Sequence, residues 1–216
     1  VLPSRDVDVI TLANENFITR VQALPDKDPS DPDYMNQLRL LEGRLPTAPT
    51  ECVIDEKIAI EHGFTVGRTI TFAEGKPDED LADSLARRSY VIVGIAQSPV
   101  YLDMTKRGST NIGNGALAAF VYLPEVNFIS DYYTELYISY QPAFEAAAYT
   151  DAYDAAADEI VAKLEALEPI RAPLRLQEVR RDAQETIDDA QAELDDGKRE
   201  MDEKLADAAQ TIADAE

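Results

Sequence analysis

The protein is a chain of 216 residues with 42 acidic and 20 basic side chains, one histidine and one cysteine. Its formal net charge of −22 argues against binding to nucleic acid or to an anionic membrane surface, because both depend on Lys and Arg. One cysteine excludes an internal disulfide framework and a thiolate metal cluster, and a hydrophobic content of 45% indicates a folded core.

Short β-strands dominate the chain up to residue 140. Alternating apolar and polar residues on either side of a polar turn predict a β-hairpin from residues 6–9 and 17–24. Short β-branched and aromatic runs predict further strands. They lie at residues 38–40, 51–55, 66–72, 90–96, 116–123 and 134–140.

Two helices accompany these strands. Residues 56–62 can form two helical turns that end at Gly63, a typical C′ residue. Thr150 or Asp151 can cap a helix that runs to about Leu167. We therefore predict an α+β fold, whose mixed, β-rich head of about seven to eight strands and two helices spans residues 1–174.

Residues 175–216 follow a helical period. Apolar or small residues recur three or four positions apart, which predicts a long, nearly straight helix of the coiled-coil type, one arm of a coiled coil. The stripe is rich in alanine, so it needs a partner helix. We refer to this segment as the stalk, and its stripe includes Leu176, Val179, Ala183, Ile187, Leu194, Met201, Leu205 and Ile212.

The charge is distributed over both parts, with −14 on residues 1–174 and −8 on residues 175–216. The sequence lacks an initiating Met and ends within a helical pattern, so we expect it to be a segment of a longer protein. Its apolar runs are shorter than the roughly 18–20 residues of a transmembrane helix.

Residue types that usually carry catalysis are sparse. His62 lies beside a predicted helix end, where it is expected to interact with the last carbonyls. Cys52 lies in an apolar strand, where a thiol behaves as a small hydrophobe. The acidic loop at residues 26–33 lacks the pattern of an EF-hand, which leaves a weak divalent site as the alternative to a solvated loop. We predict no catalytic residue, no metal site and no cofactor.

The stretch 108–115 is rich in Gly and Asn and follows two cations. It lacks the Gly-Lys-Ser/Thr sequence and the following helix of a phosphate-binding loop. It is either a loop that needs residues with positive φ or an exposed contact surface. The candidate residues for contact with a partner or cargo are Lys106, Arg107, Gly108, Ser109, Thr110, Asn111, Gly113, Asn114 and Gly115.

Several motifs, each weak alone, follow one another in a characteristic order. They are Leu-Glu-Gly-Arg-Leu-Pro (41–46), Glu-Cys-Val-Ile-Asp (51–55), Val-Gly-Arg-Thr-Ile (66–70), Tyr-Val-Ile-Val-Gly-Ile (90–95), Ser-Pro-Val-Tyr (98–101), Arg-Gly-Ser-Thr (107–110), Gly-Asn-Gly (113–115), Tyr-Leu-Pro (122–124) and Tyr-Thr-Glu-Leu-Tyr (133–137). Together they resemble the extracytoplasmic core domain of FtsX-like, MacB-type ABC transporter permeases. The resemblance is greatest to the large permeases of Gram-positive bacteria whose first external domain carries a coiled coil. Arg68 departs from the family, which usually has Asp there.

The resemblance implies a non-catalytic domain outside the cytoplasmic membrane, between the first and second transmembrane helices of a permease. Such a domain relays ATPase-driven movement to a partner or cargo. The implied partners are a cytoplasmic ABC ATPase subunit, reached through the parent's transmembrane helices, a second permease copy or subunit, and an unknown extracytoplasmic protein or lipid-like cargo. The parent would lie in the cell membrane, with this segment on its extracytoplasmic face.

Two alternatives remain open at this point. One is a ligand-binding module for a lipid, a peptide or a cell-wall fragment, with the loop at residues 108–115 as its lip. The other is a hydrolase that uses paired carboxylates, although 42 acidic residues make accidental pairs common.

Overall fold

The protein has the α+β fold that its sequence predicts. The structure, a computed structural model, describes residues 1–28, 30–31, 34–103 and 107–213, with side chains up to residue 209. Its strands are β1 (Leu2–Ser4), β2 (Asp6–Thr11), β3 (Phe17–Leu24), β4 (Arg39–Gly43), β5 (Glu51–Asp55), β6 (Thr69–Ala73), β7 (Ser89–Gln97), β8 (Ala119–Pro124) and β9 (Glu135–Tyr137). Its α-helices are α1 (Glu56–His62), α2 (Gln141–Glu145), α3 (Asp151–Glu165) and α4 (Glu168–Ala213).

Six of the strands close into a barrel. The order β7-β5-β8-β3-β2-β6 returns to its start because β6 pairs with both β2 and β7. The β3–β8 and β5–β7 pairs are parallel. Strand β4 extends the same sheet by pairing with the second half of β7. Each barrel strand is therefore hydrogen-bonded on both sides, which protects its backbone from pairing with other chains.

The barrel encloses the main hydrophobic core. Alternate residues of its strands point inward, as the two-residue period of a strand requires. Helix α1 adds Ile58, and the short 3-10 helix at Leu81–Asp83 adds Leu81. The fully buried members on the strands are Val9, Val21, Cys52, Ile54, Ile70, Phe72, Tyr90, Ile92, Val121 and Leu123. The side chains fill the interior, so the barrel is a packed core.

The predicted hairpin and the predicted helix at residues 56–62 are confirmed. Strands β2 and β3 pair antiparallel in one register, with Val9 opposite Thr19. Helix α1 ends at Gly63, whose backbone is left-handed, with φ of 68°. The described residues contain nine strands, one more than the upper end of the predicted seven to eight. The additional strand is β1, at Leu2–Ser4, which was not predicted. It is three residues long and contains a proline, so its sequence has no detectable strand pattern.

Two glycines allow β4 and β7 to approach each other closely. Gly43, in the motif at residues 41–46, has φ of 73°, and a Cβ there would lie 2.1 Å from the carbonyl oxygen of Val93. A Cβ on Gly94, its partner in β7, would lie 2.4 Å from the carbonyl oxygen of Arg44. Both contacts are with backbone, so neither can be relieved by a side-chain rotation.

Replacing Gly43 with alanine should therefore cost more stability than replacing Gly63. A Gly63→Ala chain has only the left-handed backbone to accommodate, since no atom lies within 4 Å of the new Cβ, and should lose about 1 kcal/mol. Gly43→Ala adds a backbone clash and should lose at least about 2 kcal/mol more. Urea unfolding of both variants measures the difference, and equal losses would show that the close approach is not rigid.

The backbone divides into two compact units, Val1–Ser139 and Tyr140–Glu216. In the second unit, Thr150 caps α3 by accepting a hydrogen bond from the Tyr153 backbone N–H at 3.3 Å, as the sequence predicts. Polar contacts join α3 to Tyr140, the N-cap residue of α2. The Tyr140 hydroxyl donates to Glu159 at 3.0 Å and accepts from Lys163 Nζ at 3.2 Å.

The predicted stalk forms part of α4, a single helix of 46 residues. The helix begins at Glu168 and includes Pro173, which precedes the predicted stalk. Pro173 is the sixth residue of the helix, where a proline has no N–H for the bond to the carbonyl four residues earlier and tends to kink the helix. The division between residues 174 and 175 therefore falls inside α4, and as a domain boundary it stays a prediction.

The predicted stripe lies on α4 and is exposed within the described residues. The side chain of Ile212 lies outside the described ones. Exposed members are Leu176, Val179, Ala183, Ile187, Leu194, Met201 and Leu205. Apolar residues along one face of a solvent-exposed helix favour a partner helix.

Candidate functional site

A buried ion pair organises the outside face of the barrel. Asp55 is the last residue of β5 and is 0% exposed. Its Oδ1 accepts a hydrogen bond from the Lys57 backbone N–H at 3.1 Å, so Asp55 is also the N-cap of α1. Aspartate is among the preferred residues at this position, because its side chain satisfies a free N–H of the first turn.

Arg107 supplies the opposite charge. Its Nε donates to Asp55 Oδ2 at 2.7 Å and its Nη2 donates to Asp55 Oδ1 at 2.8 Å. Its Nη1 donates to the carbonyl oxygens of Tyr101 and Asp103 at 2.8 and 3.0 Å. The guanidinium also lies 5.6 Å from the centre of the Phe120 ring. The two-bond geometry fixes both the position and the orientation of the pair.

Opposing effects act on the Asp55 carboxyl. Burial raises its pKa, while the Arg107 guanidinium and the backbone donors of Lys57 and Phe120 lower it. A charge that is removed from water in this way requires its partner. The predicted contact residue Arg107 is itself 5% exposed, so its guanidinium positions the loop and is not available to a partner. Lys106 lies outside the described residues.

The loop at residues 108–115 is a tight, hydrogen-bonded turn. Gly108, Gly113 and Gly115 have φ of 137°, 52° and 81°, which confirms that the loop needs residues with positive φ. The Leu117 N–H donates to the Gly108 carbonyl oxygen at 3.0 Å. Ile112 is buried and packs against Gly75, where a Cβ would lie 2.2 Å from Ile112 Cδ1.

Most residues of the same loop are exposed to solvent. Gly108, Ser109, Asn111, Gly113 and Asn114 are exposed, and Thr110 and Gly115 are half-buried. The loop therefore presents an uncharged polar surface on a rigid base. Its role as a contact surface stays a prediction.

A two-stranded ribbon, β1 with β9, is attached to the barrel by polar contacts. Ser4 lies opposite Glu135 in the ribbon. Thr134 accepts from the Asp6 backbone N–H at 2.8 Å and donates to the Asp6 carboxylate, while its own N–H donates to the Ser4 carbonyl oxygen at 3.0 Å. Gln22 of β3 donates to Glu135 at 3.3 Å.

Buried hydroxyl groups and an ion-pair cluster complete this attachment. The Tyr101 hydroxyl donates to Gln22 at 3.0 Å. Burial raises the pKa of Tyr122 to about 12 and also raises the pKa of Tyr101. Arg20 donates to Asp8 at 2.8 Å and lies 3.1 Å from Asp6. The ribbon and the barrel are thus joined by a polar network.

A groove of about 830 Å³ lies at the other end of β3 and β8 from the loop. None of residues 108–115 lines this groove, and the expectation that they form the lip of a ligand site stays a prediction. The loop precedes β8, whereas the groove begins where β8 ends. The lining residues are Arg5, Leu24, Pro25, Asp26, Lys27, Tyr34, Leu45, Pro46, Thr47, Ala48, Pro49, Pro124, Glu125, Val126 and Phe128.

The remaining residues considered for chemistry have structural positions. Cys52 is buried in the barrel, and burial raises the pKa of its thiol. The His62 ring stacks on Phe17 with a centroid distance of 3.9 Å. Asp28 in the acidic loop accepts from Ser30. Among the described residues, no group of His, Cys, Asp or Glu is arranged to hold a metal ion.

Sequence and structure comparisons identify the family. The chain belongs to the MacB-like periplasmic core domain family, which matches residues 4–167. No curated protein matches the sequence significantly. None of the described helices has both the length and the apolar character needed to cross a bilayer.

The protein is also similar to a solved structure, the extracellular domain of the noncanonical ABC-type transporter YknZ from Gram-positive bacteria. The two share 10% sequence identity with a TM-score of 0.36. The match covers 59% of each chain. Family membership confirms the resemblance that the ordered motifs indicate.

Loss of Arg107 should destabilise the protein strongly. Arg107→Met leaves the Asp55 carboxylate buried and unpaired, so the free energy of unfolding should fall by about 3–5 kcal/mol. Arg107→Lys keeps the charge but loses the two-bond geometry and should give a smaller loss. Arg88→Met is the control, because Arg88 pairs with Glu74 and Asp80 while about half exposed, and should cost less than about 1 kcal/mol. Urea unfolding compares them, and equal losses from Arg107→Met and Arg88→Met would contradict a structural role for the buried pair.

The turn between β4 and β5 should make stability depend on pH. The Arg44 guanidinium and the Thr47 and Ala48 N–H groups lower the pKa of Glu51 to about 2. Because the folded-state pKa of Glu51 is depressed, its contribution to stability is complete above about pH 4.5, the ordinary pKa of a glutamate, and is lost as the pH falls towards 2. Glu51→Gln should therefore melt below the unmodified protein at pH 7, and the gap should narrow below pH 4.5.

Thermal melts at pH 7, 5 and 3.5 measure this convergence. Glu15→Gln removes an exposed carboxylate in the β2–β3 turn and should leave the melting temperature unchanged. A gap for Glu51→Gln that stays constant over this range would contradict the assignment.

Proposed function

We propose that the protein is the extracytoplasmic domain of an ABC transporter permease in the cell membrane. In this proposal it relays ATPase-driven movement to a partner or cargo outside the membrane and catalyses no reaction. ATP would be hydrolysed by a separate cytoplasmic subunit, and a second permease copy or subunit would complete the transporter. Membership of the MacB-like periplasmic core domain family supports the extracytoplasmic location.

The β1–β9 ribbon is the observation that carries the relay. Strand β1 precedes all the barrel strands in the chain, and β9 follows all of them. Their pairing places Leu2 opposite Tyr137, so the strand that leads into the barrel and the strand that leaves it are tied together. In the proposed parent transporter, a displacement of either strand would therefore act on the other. The contacts of Gln22 and Thr134 pass it to the barrel.

The long helix α4 supports the same function. It follows the ribbon in the chain and extends for about 69 Å at 1.5 Å per residue. A continuous helix transmits displacement along its axis, which suits contact with a partner away from the membrane. The exposed stripe on α4 supplies apolar surface for a neighbouring helix.

The relay can be tested without knowing the transported substrate. Spin labels at Ile60→Cys, which is exposed on α1, and Met201→Cys, which is exposed on α4, would be placed in the full parent transporter with its ATPase. Pulsed electron paramagnetic resonance should show that the distance between the labels changes on ATP binding. Cys52 is buried and should remain unlabelled.

Weakening the ribbon attachment should reduce this change. Thr134→Val removes the hydroxyl that bonds Asp6, so the nucleotide-dependent distance change should shrink at least about twofold while ATP hydrolysis continues. Thr71→Val is the matched control, because it removes an exposed hydroxyl that bonds Ser89 at 2.9 Å within the barrel, and should behave as the unmodified protein. A distance that does not respond to ATP, or equal effects of the two substitutions, would overturn the relay.

A further inference from the structure

The groove at the end of β3 and β8 has the dimensions and the lining of a ligand site. Its volume of about 830 Å³ lies within the usual range for such sites. Leu24, Leu45 and Phe128 contribute apolar side chains, and Val126 projects at its edge with 70% of its surface exposed. An exposed apolar cluster of this kind on a strongly acidic protein indicates a contact surface.

Hydrogen bonds to the Glu51 carboxylate hold one wall of the groove in place. The segment that contributes Leu45 to Pro49 is fixed by Glu51, which accepts from the Thr47 and Ala48 N–H groups at 2.8 and 3.2 Å. Arg44 joins the other side of the same carboxylate at 2.6 Å. A wall organised in advance reduces the entropic cost of binding.

Four prolines line the groove, Pro25, Pro46, Pro49 and Pro124. Proline contributes a carbonyl oxygen but no backbone N–H. The carbonyl oxygens of Pro25 and Pro124 already accept hydrogen bonds, from the Lys27 backbone N–H at 2.9 Å and from Asn127 Nδ2 at 3.1 Å. The proline rings contribute rigid apolar surface, against which the apolar side chains of an extended peptide can pack.

The charges of the lining leave one aspartate uncompensated. Arg5 pairs with Glu125 and lies 4.3 Å above the Tyr133 ring. Lys27 pairs with Asp31 at 3.4 Å. Asp26 lines the groove and is exposed, and the described residues give it no ion-pair partner. The site consequently favours a cation, and the net charge of −22 acts in the same direction.

We propose that this groove binds an extended peptide segment of an extracytoplasmic partner protein, with apolar side chains in the groove and a Lys or Arg at Asp26. The same charges select against lipids with anionic headgroups and against phosphate-rich cell-wall polymers. Of the ligand classes that the sequence leaves open, the groove thus fits a basic, apolar peptide. The inference supplies partner chemistry for the proposed function and does not require the relay.

Defined peptides test the proposal with the 216-residue chain. Fluorescein-labelled octapeptides of alternating Leu and Lys, Ser and Lys, and Leu and Glu would be titrated by fluorescence anisotropy at about 0.15 M ionic strength. The Leu-Lys peptide should bind at least about tenfold more tightly than the other two. Neutral phosphatidylcholine vesicles should not bind.

Matched variants locate the binding. Asp26→Asn should lower the affinity for the Leu-Lys peptide about fivefold, and Val126→Ser should lower it about threefold. These factors correspond to a loss of about 1 kcal/mol or less of binding free energy. The controls are Asp78→Asn, which removes an exposed acid outside the groove, and Ile60→Ser, which removes a side chain that is 75% exposed. Both should change affinity less than twofold.

Four outcomes would overturn the proposal: no binding of the Leu-Lys peptide, equal binding of the Ser-Lys peptide, equal effects of Asp26→Asn and Asp78→Asn, or binding of the vesicles instead. Equal binding of the Ser-Lys peptide would show a general attraction of cations to an acidic protein. None of these results bears on the ATP-dependent distance change in the parent transporter, so failure of the groove proposal and failure of the relay are distinguishable.

Discussion

The buried Asp55–Arg107 ion pair is the interaction on which the arrangement of the outer barrel face depends. One carboxylate ends β5, begins α1 and receives the guanidinium that holds the segment before the loop at residues 108–115. Neither charge can be buried without the other, because the cost of an unpaired ion in the interior exceeds that of most single interactions. The pair thus enforces one arrangement of strand, helix and loop together.

The buried interior of the barrel differs from its two ends, which carry the surfaces suited to contact with other molecules. The interior holds Cys52, Ile54 and Val121 in a buried hydrophobic core, and the strands around them are hydrogen-bonded on both sides. The loop and the groove lie at opposite ends of β3 and β8. A rigid barrel between them provides a fixed frame from which an extracytoplasmic domain can contact other molecules.

Much of the fold follows from local sequence. The β2–β3 hairpin and the Gly63 end of α1 are visible because their signals lie within a few residues of each other. The burial of Arg107 is not visible, since its partner Asp55 is 52 residues away and its neighbours look like an exposed loop. Closure of the barrel is not visible in the local sequence either, because the pairing of β6 with both β2 and β7 joins distant parts of the chain. The groove could not be predicted from the sequence, because its walls come from five separate segments of the chain. No single run of residues has a pattern that indicates a groove.

Hydrogen–deuterium exchange of the Arg107→Met chain tests the central claim most directly. If the buried pair holds strand, helix and loop together, amide exchange should rise in both residues 56–62 and residues 107–117, although they are far apart in sequence. Arg88→Met should leave both segments unchanged. Faster exchange in residues 107–117 alone, or in neither segment, would contradict the account.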